Sequence, residues 1–389
     1  MEKTEKLLID CSFIWGECES SDSAIIYAIN LIKGFLLYSN YRPFVIMWSK
    51  NEESLSKMIS FEIDKIIIDS GDLLFSWRPL YRLFGFLPHR LKEKINRIGF
   101  SYIILPYHFN GLFYFPSHYQ HYAIVHDLFK YDNIKAKRGT LSYLIWRLYR
   151  RMLTRKFQHL ISISQYTHDE LIRRDGIKSD IVYNSIPFNL SIIEKSVKNV
   201  SGIKYIIDIN RFQQYKNAEI LIRALHLLRD KIPHYIYLKG DCNYAEDRKM
   251  LVKLVSELGL EERVIFDMDY RTKGELCFLY KHADLFVSPS LKEGFGWTPI
   301  EAAILKTPVL ISNIEVLKDV SCNKLTTFDP HSPEDLARHI LEMLNNPPSE
   351  EERKQLSEFF LERYSLKNQI EQFTKIFERD RKDGRKKTQ

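Results

Sequence analysis

The stretch Leu285–Ser312, LFVSPSLKEGFGWTPIEAAILKTPVLIS, carries the plan of the chain in miniature. An apolar run, Leu285–Val287, passes into a loop with glycines at 294 and 296, a helix is expected over 297–305, and Pro308–Ile311 is a second apolar run. Strand, loop, helix and strand in that order make one unit of a parallel sheet, because parallel neighbours need a long crossover. Pro299 suits the first helical turn, where its missing N–H costs nothing. Small residues ahead of a helix N-terminus let a ligand approach the backbone, and the unpaired N–H groups there suit a phosphate. Glu293 and Glu301 flank this point. A carboxylate beside an anion site is unfavourable unless it takes hydroxyl groups instead, and sugar or ribose hydroxyls meet that need.

The same rhythm extends in both directions. Upstream, strand-like runs at Lys6–Asp10, Pro43–Trp48, Lys65–Ile68, Tyr102–Pro106, Tyr122–His126, His159–Ser164 and Asp180–Tyr183 alternate with helix-like stretches at 22–37, 79–97, 139–157 and 165–174. A polar segment, 187–202, interrupts the pattern and reads as a linker. The alternation then restarts with Lys204–Ile209, helix 217–230, Tyr235–Leu238, helix 245–258, Val264–Phe266 and helix 272–281, and continues through the quoted stretch to helices after Ser332. The expected class is α/β, with two successive Rossmann-like domains. Ligands of such sheets sit beyond the carboxyl ends of the strands, so residues just after each run are the candidates for chemistry.

Composition narrows the classes further. The chain has 389 residues, 28% charged and 13% aromatic, far from the aromatic-poor signature of disorder. Charged residues interrupt every apolar run before the roughly 18 residues of a spanning helix. The charged opening Met1–Asp10 argues against a secretion signal, and five scattered cysteines without CxxC spacing read as reduced thiols. A cytoplasmic protein is expected.

The net charge of +7 is unevenly spread: residues 1–190 hold 25 basic and 19 acidic side chains, and 73–156 hold 15 and 3. In 75–98 and 144–157, arginines and lysines interleave with aromatic residues. Basic amphipathic helices of this kind suit an anionic membrane surface, the competing reading being aromatic core with arginines outside. No nucleic-acid-binding motif accompanies the charge, and no nucleic-acid partner is expected.

EGFGWTPIE at Glu293–Glu301 resembles the Glu-x7-Glu motif of the retaining GT-B glycosyltransferases of family 4, the "group 1" enzymes. Further blocks agree in the family's order: IVHDLFK at Ile124–Lys130, ISISQYTHDEL at Ile161–Leu171, RFQQYKN at Arg211–Asn217 and KTPVLIS at Lys306–Ser312. The resemblance implies two Rossmann-like domains facing each other across a cleft. It assigns an acceptor-side domain to 1–186, a nucleotide-sugar domain to 203–355, and to 356–389 a helix packing back on the first domain and ending in a basic tail. It implies transfer of a hexose, such as mannose from GDP-mannose, to a hydroxyl of a lipid-linked oligosaccharide or polysaccharide, with retention and without a metal or other cofactor.

Carried over residue by residue, Arg211 and Lys216 would stabilise the diphosphate, Glu293 would contact the donor sugar and Glu301 the ribose. The amides at Phe295, Gly296 and Trp297, with Thr298, would approach the sugar or diphosphate, and His126, followed by Asp127, would hydrogen-bond the transferred sugar. Asn184 resembles the family's Asn-Gly turn at the domain crossover, with Ser185 in place of the glycine. After the first strand the family carries a glycine-rich loop, often Gly-Gly, lining the donor phosphates. Here CSFIWGECESSDS offers only Gly16.

Asp267-Met268-Asp269 matches the metal motif of the other glycosyltransferase architecture, but three residues match by chance easily, and no metal is expected. Two rivals stand beside transfer: a non-catalytic GT-B-like binding or scaffold protein, and a GT-B sugar-nucleotide epimerase.

Overall fold

The structure is a computed structural model of the chain, and it describes residues 5–14, 23–69, 89–107, 119–128, 159–186, 200, 202–240 and 245–387. The chain divides into two compact units, 1–187 with 364–389, and 188–363.

In the first unit the elements run β1 (Glu5–Asp10), α1 (Ser23–Tyr38), β2 (Tyr41–Trp48), α2 (Glu52–Ile59), β3 (Asp64–Ile68), α3 (His89–Ile98), β4 (Tyr102–Leu105), β5 (Gln120–Val125), β6 (His159–Ser162), α4 (Gln165–Asp175) and β7 (Asp180–Ile181). All neighbouring strands are parallel, in the order β3-β2-β1-β4-β5-β6-β7. The chain leaves β1 in one direction through β2 and β3 and then returns to β4 on its other side, so β1 and β4 flank a switch point. Strands such as LLID and YIIL are apolar at successive positions and buried, as parallel strands covered on both faces must be.

The second unit repeats the design: β8 (Tyr205–Ile209), α5 (Ala218–Leu228), β9 (Tyr235–Lys239), α6 (Ala245–Glu257), β10 (Val264–Asp267), α7 (Lys273–His282), β11 (Leu285–Ser288), α8 (Trp297–Ile304), β12 (Val309–Ser312), α9 (Glu315–Val320), β13 (Thr326–Phe328), α10 (Pro333–Asn345) and α11 (Glu350–Arg363). The strand order is β10-β9-β8-β11-β12-β13, again all parallel, with its switch point between β8 and β11. The last helix, α12 (Leu366–Lys387), belongs to the first unit.

The return to the first unit falls at Tyr364, later than the 355/356 boundary expected from the sequence. The reason lies in α11, which stays with α8: the Ser357 hydroxyl donates to the carbonyl of Ile304 at 2.6 Å, and Phe360 is fully buried. Beyond Tyr364, α12 lies along α1. A Cβ on Gly34 would come within 2.6 Å of Ile370, so glycine is what lets the two helices approach this closely. Phe377 stacks on Tyr102 at 4.2 Å and 9°, meets Tyr41 edge-on at 5.5 Å, and lies 4.8 Å from Tyr122. The Tyr122 hydroxyl donates to Asp380 at 2.9 Å, and Arg379 makes a two-pronged pair with Asp180 at 2.6 and 2.7 Å.

Of the basic stretches, 75–88 and 144–157 fall outside the described residues, as does most of the expected linker at 187–202. Residues 89–98 form α3. Its Leu91 and Ile95 are buried with Phe44, Phe100 and Tyr119, while Arg90, Lys92, Lys94 and Arg97 are exposed. The apolar face that would enter a bilayer is therefore taken up by the sheet, and this helix exposes a polar, mainly basic face. Among the described residues, no helix is long and apolar enough to cross a membrane.

Phe377→Ala removes a fully buried ring from an aromatic cluster and is expected to cost about 3–5 kcal/mol. Chemical denaturation of the variant, read against the native chain, checks this.

Candidate functional site

At the carboxyl end of the second sheet, the loops after β8 and β11 are tied together by hydrogen bonds. Asn217, closing a short 3-10 turn over Gln214–Lys216, adopts the left-handed conformation at φ 59°, which asparagine tolerates better than most residues. Its side-chain amide donates to the carbonyls of Pro289 at 3.1 Å and Pro330 at 2.9 Å. The amide of Leu291 donates to Tyr215 O at 2.8 Å. These bonds set the two loops in register and bring Lys216 to Glu293.

The Lys216 ammonium donates to Glu293 Oε1 at 2.6 Å, with 14% and 10% of the two side chains exposed. The same oxygen accepts the Ser290 hydroxyl at 2.8 Å. Asp208, at the end of β8, is a second buried carboxyl here, hydrogen-bonded by the Asn210 side-chain amide. Burial pushes its carboxyl up to about 7, against the opposing pull of Asn210 and Lys216, and the Glu293 charge adds to the rise.

Gly296 caps α8 with φ +87°, where an L side chain is strained, and a Cβ there would come within 2.4 Å of Leu317. With no side chain capping the helix, the first-turn amides of Trp297 and Thr298 face the loop region as a ready anion site. The Phe295 and Trp297 rings flank the glycine with centroids 6.3 Å apart, and the buried Trp297 indole N–H has no partner among the described residues. In the second turn of α8, Glu301 Oε2 accepts the Tyr280 hydroxyl at 2.8 Å. Burial pushes the Glu301 carboxyl up to about 7 despite Tyr280 and Lys273.

The second unit thus brings together Lys216 and Glu293, with Gly296, Phe295, Trp297, Thr298 and Glu301 on the adjoining loop and helix. Arg211 stands exposed at the start of the β8 loop. His126 lies in the first unit, after β5. Its Nε2 donates to the carbonyl of Pro106 at 2.6 Å, and its ring meets Tyr27 edge-on at 4.7 Å. Asn184 is buried in that unit, and the neighbouring Ser185 donates to Gln369 of α12 at 2.9 Å. Gly16 falls outside the described residues.

Sequence reasoning missed Asp208, Ser290 and Tyr280. A signal for Asp208 was present, since YIIDI sets one carboxylate inside an otherwise apolar parallel strand. Asp267 of the metal-like motif is a structural group. It accepts from Arg271 at 2.9 Å, from the Asp269 amide at 3.0 Å and from the Tyr237 hydroxyl. Burial raises its carboxyl, but these donors together outweigh it and leave the group below the usual carboxylate range. Among the described residues, no cluster of three or more His, Cys, Asp or Glu side chains has a metal-holding arrangement.

Residues 191–360 match the family described as "Glycosyl transferases group 1", and residues 49–189 match "Glycosyltransferase Family 4". The chain belongs to the group 1 glycosyltransferases of family 4. Similar proteins include the serotype-specific mannosyltransferase WbdA of Escherichia coli, 26% identical over 56% of this chain and 28% of that one. The O-antigen chain mannosyltransferase RfbU of Salmonella typhimurium is 28% identical over 53% of this chain and 56% of its own length. The matched part therefore spans about a quarter of the first relative and about half of the second. Anabaena HepE, solved with UDP and glucose, aligns over 96% of this chain and 100% of its own, with a TM-score of 0.68 at 16% identity. The fold is GT-B, built from two parallel-sheet α/β domains.

Asp208 and Glu301 hold protons in the fold that an unfolded chain would release near pH 4. Between that value and about 7 the folded state binds more protons, so stability falls as pH rises. Thermal melts across about pH 5 to about 8 are expected to show a declining Tm, with a shallower decline in Asp208→Asn.

Proposed function

We propose that this glycosyltransferase moves a hexose from a nucleoside diphosphate sugar to a hydroxyl of a lipid-linked oligosaccharide or polysaccharide, with retention at the anomeric carbon. The observation that carries the reading is the Lys216–Glu293 pair, 2.6 Å apart and held beside the uncapped N-terminus of α8 at the switch point of the second sheet. A cation and helix amides suit a diphosphate, and a carboxylate beside them suits sugar hydroxyls. Mannose from GDP-mannose is the favoured donor, since WbdA and RfbU are both named as mannosyltransferases.

In the proposed step the bond from the anomeric carbon to the β-phosphate oxygen breaks, and the electron pair leaves with the nucleoside diphosphate. The acceptor oxygen bonds to the same face of that carbon, and its proton passes to the departing phosphate oxygen. Lys216, Arg211 and the α8 amides stabilise the charge that grows on the diphosphate, where preorganised donors have most effect. No metal takes part. Glu293 orients the sugar, Glu301 takes the ribose hydroxyls, and the resemblance adds His126 as a further contact to the sugar.

The exposed basic face of α3 fits peripheral, charge-driven contact with an anionic membrane carrying the acceptor. The chain would then work on the inner face of the membrane, where nucleotide sugars are made.

Lys216→Ala and Glu293→Ala are each expected to lose transfer by about a hundredfold or more while staying folded, measured as nucleoside diphosphate released in the presence of a lipid-linked acceptor and EDTA. Near-native rates in either variant would remove that residue's role. Flotation with anionic vesicles is expected to fall steeply with added salt, as screened surface charge requires. Binding that resists high salt would point to insertion instead.

A further inference from the structure

Tyr280 is more tightly held than anything needed to fill space. It lies on α7, 1% exposed, against Phe286 at 5.6 Å. Its carbonyl accepts the Thr307 hydroxyl at 2.6 Å, and the carbonyl of Leu279 before it accepts the Tyr205 hydroxyl at 2.8 Å. The phenol so fixed reaches the α8 carboxylate with a single bond, to Glu301 Oε2 at 2.8 Å. The other oxygen, Oε1, has no hydrogen bond among the described residues, and Glu301 as a residue is only half-buried.

We propose that Tyr280 is a positioning residue for a nucleotide's ribose: its hydroxyl holds one Glu301 oxygen so that the other is aimed to accept ribose hydroxyl hydrogens. The inference rests on the ribose role proposed above for Glu301 and goes beyond it in naming the group that prepares the carboxylate. A phenol that donates to a carboxylate favours its ionised form, and an ionised carboxylate is the stronger acceptor for hydroxyls.

The surroundings isolate this bond. From α7, Tyr280, Lys273 and Cys277 act on the carboxyl, and Asp208 at the end of β8 acts on Tyr280. Strands β11 and β12 bring no charged side chain. Helix α11 meets α8 at its far end, with Ser357 on the carbonyl of Ile304 and Arg353 on that of Lys306. Burial and the neighbouring carboxylate raise the Tyr280 phenol far above its ordinary range, so it stays a donor throughout. Glu301 and Asp208, both pushed up to about 7, change charge near neutrality, and of the two Glu301 is the one bonded to the Tyr280 hydroxyl.

The test is calorimetric binding of GDP, with UDP and inorganic pyrophosphate alongside, to the full chain across about pH 6 to about 9. Native protein should bind its nucleoside diphosphate more tightly as pH rises through about 7 and should prefer it to pyrophosphate, which has no ribose. In Tyr280→Phe the midpoint should move to higher pH, weakening nucleotide binding about fivefold at about pH 7 and about tenfold at about pH 6 while leaving pyrophosphate unchanged, as a one-unit rise in a carboxyl pKa from about 7 requires. Glu301→Gln should abolish the preference over pyrophosphate and leave nucleotide with the pH dependence of pyrophosphate, the part that Asp208 sets for both. A native-like melting curve for Tyr280→Phe separates this from a general loss of fold. If native protein binds nucleotide no better than pyrophosphate, the ribose role of Glu301 falls and takes the inference with it. If native protein and Glu301→Gln behave as described but Tyr280→Phe keeps the native pH profile, the ribose role stands and the inference is overturned.

Discussion

An ammonium and a carboxylate taken largely out of water must meet, because either one buried alone costs several kcal/mol. The pairing of Lys216 with Glu293 imposes that condition on the second unit. It requires the loops after β8 and β11 to stand in a fixed register, and Asn217 supplies this by bonding across to Pro289 and Pro330 from a backbone conformation few residues accept. It also limits what else can be charged nearby. Burial makes Asp208 hold its proton to unusually high pH, and the charge of Glu293, which takes the lysine, adds to the rise. A diphosphate entering beside the pair would bring the negative charge that this arrangement is short of cations to meet, except at the α8 amides and Arg211.

Most of the framework was legible because parallel strands and amphipathic crossovers leave strong periodic marks. Strands β1, β4 and β11 carry unbroken apolar runs, and the observed ends fall within a residue or two of the expected ones. The elements missed are those too short to show a period: α2, the six-residue α9, and β13, whose Thr326 is exposed and whose three residues carry one buried apolar side chain. At the site, the order of Glu293, Gly296 and Glu301 along the chain was readable, as was the place of Arg211 and Lys216 after a strand. That Lys216 pairs with Glu293 was not, since the bond joins residues far apart in sequence through loops whose register depends on a side-chain amide.

Two carboxyls, Asp267 buried and Glu301 half-buried, show why residue type alone is a poor guide to role. Asp267 and Glu301 both sit at or beyond the carboxyl ends of strands in the same sheet. Asp267 is saturated by a guanidinium, a phenol and an amide, and its charge is settled by the fold. Glu301 has one donor and one oxygen to spare among the described residues. The three-residue pattern around Asp267 mimics a metal motif, yet its acid is committed to β9 through Tyr237 and to the loop after β10 through Arg271 and the Asp269 amide.

The closing helix has a consequence for how the chain is built. Helix α12 covers α1, and its Phe377 completes an aromatic cluster with Tyr41, Tyr102 and Tyr122 from the first sheet. During synthesis those residues emerge early, whereas the ring that covers them emerges only after the whole second unit has been made. Domains usually fold in the order they leave the ribosome. Here the second unit can finish while the first still displays an open apolar seam along α1. The half of the molecule translated first is the last to be sealed.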